Sequence, residues 1–306
     1  MTEVGIVGTG FVGATSAYAI ALQGICNELL LIDAHTERAR AETADIAHAA
    51  ALSGTTRVRS GDYDGLRGAK VVVIAAGVNQ QPGESRLALL ARNAAIFARV
   101  VPEIVRVAPQ AVVVVATNPV DIMTDITRNL HPHPERVLGT GTLLDTARMR
   151  ELIGRECGVA ARYIHANVLG EHGDSSVLCW DSARIAGTNI AEFMKTLGVS
   201  WNHQQRGVIE DKVRSAAAMI IAGKKATYYG IGAAVMKIVD GILRDGRGVY
   251  TLSGPSEYGV CLSLPRVLGE DGIVHTVTPD LSDTERQAIQ ESARLLRNTQ
   301  EAIEGH

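Results

Sequence analysis

The chain has 306 residues, of which 46% are hydrophobic, so it can bury a large core and form two domains or subdomains. A formal net charge of -3 and an isoelectric point near 6.3 exclude a general attraction to nucleic acids or anionic membranes. No apolar run approaches the roughly 18 residues that span a bilayer, and the four scattered cysteines, without metal-ligand spacing, predict a cytoplasmic protein that binds no metal.

The chain opens with an apolar strand, a glycine-rich turn and a helix. Residues 4–7 predict the strand, Gly8-Thr9-Gly10-Phe11-Val12-Gly13 the turn and residues 14–22 the helix. These glycines allow a tight turn and the close approach of a pyrophosphate, while the helix N-terminus offers free N–H groups. A second strand at 29–32 ends in Asp33, whose carboxylate can accept hydrogen bonds from both adenosine-ribose hydroxyls and would repel a 2′-phosphate. The pattern predicts a site for NAD rather than NADP, with an ordinary βα turn as the alternative.

Two further strands are apolar throughout, at residues 71–76 and 112–116, after a helical segment at 41–51. Continuous apolar runs are typical of parallel strands that are covered on both faces, so the first half predicts a doubly wound parallel sheet. Ligands of such sheets bind beyond the carboxyl ends of the strands. The residues that follow each strand are therefore candidates for a binding site.

Polar loops follow both of these strands. The loop from Gly77 to Arg86 is rich in glycine, proline and polar residues, as lids often are, and leads into a long helix with apolar residues at helical spacing. After the next strand, Asn118 precedes Pro119 and can both donate to and accept from a ligand. The alternative for Asn118 is a turn residue before proline.

The second half contains the candidates for chemistry. We expect a domain boundary near residue 143, which gives a nucleotide-binding domain at 1–143 and a catalytic domain at 144–306. Asp145 and Arg148 share one face of the helix that opens the second domain, where a solvated ion pair is the structural alternative. Further on, His172 lies in the glycine-flanked stretch 170–175, between Glu171 and Asp174. An imidazole titrates near neutral pH, so His172 is a candidate proton carrier, although a loop histidine without chemistry is the commoner case.

Several motifs follow one another in a specific order: GTGFVG, AAGVNQQPGESR, ATNPVD, LLDTARMR, LGEHGDS and KKATYYGIG. Over essentially its whole length, the chain resembles the lactate/malate family of 2-hydroxy-acid dehydrogenases, and within it the bacterial L-lactate dehydrogenases. The resemblance implies an α/β protein with an N-terminal Rossmann domain and a C-terminal α+β substrate domain. It also implies an NAD-dependent oxidoreductase of glycolysis and fermentation that interconverts pyruvate and L-lactate, assembled as a homotetramer.

The resemblance implies catalytic roles for His172, Asp145 and Arg86 and a substrate-binding role for Arg148. His172 matches the acid/base that donates a proton to the keto oxygen as the hydride arrives from the nicotinamide. Asp145 matches the carboxylate that fixes the imidazole tautomer and stabilises the imidazolium. Arg148 matches the arginine that holds the substrate carboxylate in a two-pronged ion pair, a geometry that lysine cannot supply.

Other matched residues surround the substrate and the cofactor. Arg86 matches the arginine that polarises the reacting carbonyl after the lid closes, and Asn118 a second contact to that oxygen, with a cis bond before Pro119. The remaining matched positions flank the substrate or the dinucleotide: Gln80, Thr227, Ile231, Gly77, Val78, Ala116 and Thr117.

Gln80 bears on the choice of substrate. Malate dehydrogenases of the family place arginine here to meet the second carboxylate of oxaloacetate. An amide would leave that charge unpaired in a dry pocket, at a cost of several kcal/mol. Gln80 therefore favours pyruvate. A malate or other 2-hydroxy-acid dehydrogenase stays open as an alternative, and so does a catalytically silent NAD-binding protein on the same fold.

Arg150 and His165 match positions that bind fructose 1,6-bisphosphate at a two-fold subunit interface in allosteric bacterial members. Symmetry would bring two copies of each cation together, which favours a polyanion between them. Ordinary surface residues are the alternative. The chain departs from the family pattern at two positions. Asn167, close to the predicted effector residues, stands where relatives often carry an aromatic residue, and Lys225, before Thr227, replaces a common glycine.

Overall fold

The computed structural model describes residues 3–78, 83 and 85–304 of the chain. Strands and helices alternate through the first half of these residues. The strands are β1 (Val4–Val7), β2 (Glu28–Ile32), β3 (Arg57–Ser60), β4 (Val71–Ile74), β5 (Val112–Val115), β6 (Val137–Gly139), β7 (Ile164–Leu169), β8 (Val177–Ile185), β9 (Thr188–Asn189), β10 (Gly248–Gly254), β11 (Leu262–Gly269) and β12 (Gly272–Thr276). The helices are α1 (Phe11–Gln23), α2 (Thr36–Ser53), α3 (Arg86–Val107), α4 (Val120–Leu130), α5 (Leu143–Cys157), α6 (Ile190–Thr196), α7 (His203–Lys224), α8 (Tyr229–Leu243) and α9 (Asp283–Glu304).

The parallel sheet of the first half confirms the predicted doubly wound architecture. Its strands β6, β5, β4, β1, β2 and β3 lie in that order, all parallel. Strands β1, β4 and β5 are buried along their whole length, because helices cover both faces of the sheet. The carboxyl ends of β1, β4 and β5 therefore lie side by side, at the edge where the glycine turn and the two polar loops begin.

The second half extends this same sheet. Strand β10 pairs antiparallel with β6, where Ser253 lies opposite Gly139. Strands β11 and β12 add to β10 in turn, also antiparallel, so that the main sheet has nine strands among the described residues. Helix α8 packs on α1, so a helix of the second half lies directly against the first half. A domain boundary near residue 143 stays a prediction, and the sheet crosses it.

A smaller core lies beside the main sheet. Strands β7, β8 and β9 form an antiparallel sheet, on which residues of α5, α6 and α7 pack around Met149, Trp180 and Met194. The chain leaves β7 at Gly170, whose backbone pairs with Ser263 of β11. This bridge fixes the start of the histidine loop against the main sheet.

Two helices begin earlier than their apolar pattern predicted. Helix α1 begins at Phe11, directly after Gly10, rather than at residue 14. Helix α2 begins at Thr36 rather than at residue 41. Helix α7 begins at His203, where Asn202 and Gln205 form a capping box that satisfies the first backbone N–H groups of a polar opening turn. Among the described residues, no helix is both long enough and apolar enough to cross a bilayer.

Candidate active site

The glycine turn after β1 is shaped for close backbone contact. Gly8 has a φ of +97°, and a Cβ there would lie 2.6 Å from the Cα of Ala76. A Cβ on Gly13 would overlap the carbonyl oxygen of Gly8, so a larger residue cannot occupy this position without moving the turn. A Cβ on Gly10 would meet no atom within 4 Å, and no side chain caps α1 there. The N-terminus of α1 is therefore open in front of the turn.

Asp33 follows β2 and contacts the glycine turn. Its Oδ2 accepts hydrogen bonds from Thr9 N at 2.7 Å and Thr9 Oγ1 at 2.9 Å, and its Oδ1 accepts one from His35 N at 2.9 Å. Partial burial would raise the pKa of Asp33, but these hydrogen bonds from His35 and Thr9 outweigh burial and lower it. Asp33 is therefore a fixed negative charge beside the turn.

The loops after β4 and β5 are joined by a residue that the sequence analysis did not single out. Asn93 of α3 is 1% exposed; its Oδ1 accepts from Val78 N at 2.9 Å, and its Nδ2 donates to the carbonyl oxygen of Asn118 at 3.1 Å. Thr117 Oγ1 also donates to the carbonyl oxygen of Ala76 at 2.7 Å. The signal for Asn93 was a polar residue on the apolar face of a helix, three residues after Leu90 and four before Phe97. The predicted cis bond between Asn118 and Pro119 is confirmed.

Helix α8 brings residues of the second half next to the glycine turn. A Cβ on Gly232 would lie 2.7 Å from Thr15 Cγ2, so α8 and α1 pack at backbone distance. The rings of Phe11 and Tyr228 stack with centroids 5.2 Å apart. Thr227 and Ile231, both half-buried, lie close to Tyr228 in the chain and therefore near this contact.

Two lysines lead into α8. The Nζ atom of Lys224 lies 3.3 Å from the ring centroid of Tyr228 and 3.8 Å from that of Tyr229, a cation–π arrangement. Lys225 ends α7 with a φ of 72°, in the left-handed region that favours glycine. The backbone of this segment is therefore fixed between two helices by aromatic packing and a left-handed cap.

His172 and Asp145 meet across the gap between the histidine loop and α5. His172 Nδ1 lies 2.6 Å from Asp145 Oδ2, while Glu171, its neighbour in sequence, accepts a hydrogen bond from Ser175 Oγ. Asp145 is 6% exposed, and its Oδ1 accepts from Arg148 Nη1 at 2.5 Å. The ion pair between Asp145 and Arg148 is thus formed, but it is largely buried rather than solvated. One carboxylate joins the imidazole to the guanidinium.

The titration of this pair follows from its contacts. Burial would lower the pKa of His172, but the hydrogen bond and charge of Asp145, with the charge of Asp121, outweigh burial and raise it. Burial would likewise raise the pKa of Asp145, but the hydrogen bond and charge of His172, with Arg148, lower it. Asp145 thus stays ionised where His172 carries a proton.

A second carboxylate lies beneath the histidine loop and was missed by the sequence analysis, although it belongs to the motif ATNPVD. Asp121 is 2% exposed; its Oδ2 accepts from the backbone N of His172 at 2.8 Å, and its Oδ1 accepts from Ser253 Oγ at 2.6 Å. From the other side, Ser292 Oγ accepts from the backbone N of Glu171 at 2.8 Å. The histidine loop is therefore held by α4, β10 and α9 together.

The side chains of two predicted residues lie outside the described part of the chain. Gln80 lies outside the described residues, and of Arg86 the structure describes only that it begins α3. The roles assigned to both by resemblance stay predictions.

The two predicted effector residues lie near each other on α5 and β7. Arg150 Nε donates to the carbonyl oxygen of Ala166 at 2.8 Å, and its Nη2 donates to Asn167 Oδ1 at 3.3 Å. His165 precedes these residues on β7 and is exposed. Burial lowers the pKa of Arg150 from its usual high value.

The residues at the glycine turn fit an adenine dinucleotide. The open N-terminus of α1 can donate N–H groups to a pyrophosphate, the missing side chain of Gly10 leaves room for it, and the ionised Asp33 can accept from ribose hydroxyls. Among the described residues, no cluster of three or more histidine, cysteine or acidic side chains could hold a metal ion.

A doubly wound sheet with this glycine turn, together with a buried histidine–carboxylate pair, is typical of an NAD-dependent oxidoreductase. Residues 2–139 match the model of the lactate/malate dehydrogenase NAD-binding domain, and residues 142–305 match that of the lactate/malate dehydrogenase alpha/beta C-terminal domain. The chain therefore belongs to the lactate/malate dehydrogenase family.

Several relatives are similar over nearly their full length. An L-lactate dehydrogenase of Deinococcus radiodurans is 51% identical over 302 residues, which cover 98% of this chain and 99% of the relative. One of Thermus aquaticus is 48% identical over 307 residues, with coverage of 98% and 99%. A solved lactate dehydrogenase from a Medee basin deep-sea metagenome library is 38% identical and superposes with a TM-score of 0.95 over 99% of both chains.

Proposed function

We propose that this protein is an L-lactate dehydrogenase that reversibly converts pyruvate and NADH to L-lactate and NAD. One observation carries the proposal: Asp145 holds the imidazole of His172 at 2.6 Å through one oxygen and the guanidinium of Arg148 at 2.5 Å through the other. A proton carrier and a carboxylate-binding cation thereby lie side by side, as a 2-hydroxy or 2-keto acid requires. The names of the relatives support the same activity.

His172 is the general acid and base in this proposal. Asp145 accepts a hydrogen bond from Nδ1–H, which leaves Nε2 to carry the proton that is exchanged with the substrate oxygen. Among the described residues, Nε2 has no hydrogen-bond partner, so it is available to the substrate. The imidazolium donates to the keto oxygen of pyruvate, and the neutral ring accepts the hydroxyl proton of L-lactate in the reverse direction. Asp145 stabilises the charged form.

Arg148 binds the substrate carboxylate. Asp145 engages its Nη1 atom, while its Nε and Nη2 make no hydrogen bond to the described residues. Two donors on one edge of the guanidinium are the geometry that a carboxylate accepts. The same ion pair also limits how far the guanidinium can move away from His172.

The glycine turn (Gly8, Gly10, Val12 and Gly13) and Asp33 hold the dinucleotide. Bound NADH supplies the hydride that turns the keto carbon of pyruvate into the alcohol carbon of L-lactate. Residues that follow β4 and β5, with one in the first turn of α8, line the nicotinamide side: Gly77, Val78, Ala116, Thr117, Asn118 and Ile231. Asn93 supports this side, because it ties Val78 to Asn118.

The substrate pocket is completed by residues that stay assigned by resemblance. Arg86 polarises the keto oxygen once the loop closes, and Asn118 and Thr227 contact the substrate. The resemblance assigns Gln80 to the methyl side of pyruvate, and an amide gives no counter-charge to a second carboxylate. We infer from Gln80 that pyruvate is preferred to oxaloacetate.

We further propose that fructose 1,6-bisphosphate activates the enzyme at a two-fold interface of a homotetramer, through Arg150 and His165. The homotetramer is assigned by resemblance, and a two-fold interface would bring two copies of each cation together. Asn167 already accepts a hydrogen bond from Arg150, which argues for weak rather than strong activation. The sugar bisphosphate should lower the KM for pyruvate, and Arg150→Gln should remove that effect while light scattering still reports a tetramer. No change of KM or cooperativity in the native protein would end this part of the proposal.

A cytoplasmic location also stays a proposal. All four cysteines are free, which is compatible with a reducing compartment.

The activity is tested by NADH oxidation with pyruvate. We expect turnover in the native protein, and a loss of kcat of about 100-fold or more in His172→Asn, because general acid–base catalysis contributes about that much. NADH binding, followed by fluorescence, should be retained. His203→Asn is the matched control, since His203 is an exposed residue at the start of α7 and should leave kcat unchanged. Full turnover in His172→Asn would show that another residue carries the proton.

A further inference from the structure

Asp121 is a buried carboxylate that is hydrogen-bonded to the backbone of His172. It has no role in the mechanism proposed above. It lies in the first turn of α4, is 2% exposed, and both of its oxygens accept hydrogen bonds. One bond comes from the backbone N of His172 at 2.8 Å and the other from Ser253 Oγ of β10 at 2.6 Å. Ser253 is itself fully buried and lies opposite Gly139 of β6. The carboxylate therefore connects the histidine loop with the helix and the strand below it.

The partners of Asp121 are neutral donors. Among the described residues, no lysine, arginine or histidine side chain lies within 4.0 Å of its oxygens. The charged groups that act on His172 are Asp145 and Arg148 on α5 and Asp121 on α4. Four titratable groups in turn act on Asp121: His172, Glu171 of the loop, Cys261 and the buried Arg266 of β11. A buried charge without an ionic partner is costly, and the site could have been filled by an asparagine of the same shape. The retained charge calls for a role.

We propose that Asp121 is a positioning residue of the proposed dehydrogenase reaction: it anchors the backbone of His172 and supplies a second negative charge that favours the protonated imidazole. This inference rests on the proposed function and deepens it. Asp145 fixes the ring of His172 through Nδ1, and Asp121 fixes the main chain from which that ring projects. Together they define the position from which Nε2 delivers its proton.

The charge of Asp121 is available only over part of the pH range. Burial raises the pKa of Asp121 to about 6, although the hydrogen bonds from Ser253 and from the backbone N of His172 lower it in part. Above about pH 6 the group is ionised and supports the imidazolium of His172. Below that pH it binds a proton and the support is lost.

Asp121→Asn separates charge from shape. The amide oxygen can accept from the backbone N of His172, and the amide NH₂ can donate to Ser253 Oγ, which then acts as the acceptor. Both hydrogen bonds survive and only the charge is removed. The pKa of His172 falls as a result, because the imidazolium loses a stabilising negative charge.

The experiment is the pH profile of kcat/KM for pyruvate reduction, from pH 5 to pH 9, in the native protein and in Asp121→Asn. The alkaline fall in kcat/KM should move to lower pH by about half a pH unit or more, so that the variant is about threefold or more slower on the alkaline side. The two profiles should converge below about pH 6, where Asp121 of the native protein is itself protonated. Coincident profiles at all pH values would overturn the inference.

A matched control and a second variant complete the test. Asp125 lies one turn further along α4 and accepts hydrogen bonds from Cys261 N and Gln300 Nε2, away from His172. Asp125→Asn should leave the profile unchanged. If Asp121→Asn does not fold, Ser253→Ala decides. This substitution removes one hydrogen-bond donor to Asp121 and so raises the pKa of that carboxyl. As the pH falls, Asp121 of the variant should therefore lose its charge, and with it the support for the imidazolium of His172, at a higher pH than in the native protein. A native profile in Ser253→Ala would count against the inference.

Failure of the proposed function has a different outcome. It appears as a native protein that does not reduce pyruvate at all. In that case the NMR titration of the His172 ring, assigned by comparison with His172→Asn, still reads the pKa of the imidazole without turnover. An unchanged pKa in Asp121→Asn would then overturn the inference independently.

Discussion

Asp145 and His172 are 27 residues apart in the sequence, yet Asp145 Oδ2 lies 2.6 Å from His172 Nδ1. The contact forms because α5 begins directly after the last parallel strand, while the histidine loop returns to the main sheet through the pairing of Gly170 with Ser263. Asp145 also holds Arg148 through its other oxygen. A change at this one carboxylate should therefore affect both proton transfer and substrate binding.

Asp145→Asn should reduce kcat/KM for pyruvate by about 100-fold or more at neutral pH. The hydrogen bond and charge of Asp145 raise the pKa of His172, so their removal lowers that pKa and moves the alkaline fall of pyruvate reduction to lower pH. Steady-state kinetics over pH measure both effects. Glu151→Gln is the control on the same helix, since Glu151 pairs with Arg155 on the surface. A variant with the native pH profile would contradict the assigned pairing.

Arg148→Lys should raise the KM for pyruvate strongly while the Kd for NADH stays unchanged. Lysine keeps the positive charge but presents a single point donor, so it cannot bind a carboxylate with two parallel hydrogen bonds. The loss of one charge-assisted hydrogen bond corresponds to about 1.5–3 kcal/mol, or roughly 10- to 100-fold in KM. Kinetics with varied pyruvate and a separate NADH titration measure the two quantities. Equal weakening of NADH binding would show that Arg148 acts on the fold rather than on the substrate.

The buried charge of Asp121 should cost stability at neutral pH. Its folded-state pKa is raised from 3.8 to about 6, so the folded protein binds a proton more readily than the unfolded chain between these values. Stability therefore falls as the pH rises from about 4 to about 6, by about 3 kcal/mol at about 1.4 kcal/mol per pKa unit. Asp121→Asn should unfold at higher urea concentration than the native protein at pH 8, with little difference at pH 4. If Asp121→Asn is less stable than the native protein at pH 8, the buried charge of Asp121 does not destabilise the fold.

Lys225 offers a test of backbone conformation. Its φ of 72° ends α7 in the left-handed region, which costs a non-glycine residue about 1 kcal/mol. Lys225→Gly relieves this cost, partly offset by the greater freedom of glycine in the unfolded chain, whereas Lys225→Ala keeps it. Urea denaturation should find the glycine variant more stable than the alanine variant by about 1 kcal/mol. The reverse order would show that the side chain of Lys225 stabilises the cap.

The sequence was sufficient to predict the parallel sheet and the glycine turn. Strands β1, β4 and β5 are apolar throughout, and Gly8 and Gly13 of the turn make backbone contacts that only glycine allows. The antiparallel addition of β10, β11 and β12 to the same sheet was not predicted, because short strands carry no local signal of the strand with which they pair.

The candidate site was predicted in part, by resemblance rather than by pattern. The pairing of Asp145 with His172 joins residues that are distant in the chain, so no local rule predicts it. Asn93 and Asp121 could have been noticed as polar residues at buried helical positions, but their partners are backbone groups of other loops. Such partners become visible only when the elements are packed together.

The preference for pyruvate over oxaloacetate is the central claim, and the ratio of kcat/KM values for these two substrates tests it most directly. We expect the native protein to favour pyruvate, because Gln80 leaves a second carboxylate without a counter-charge. Gln80→Arg should move the ratio toward oxaloacetate by about 100-fold or more, since each 1.4 kcal/mol of charge pairing changes it tenfold. A native protein that reduces oxaloacetate more efficiently than pyruvate would contradict the account.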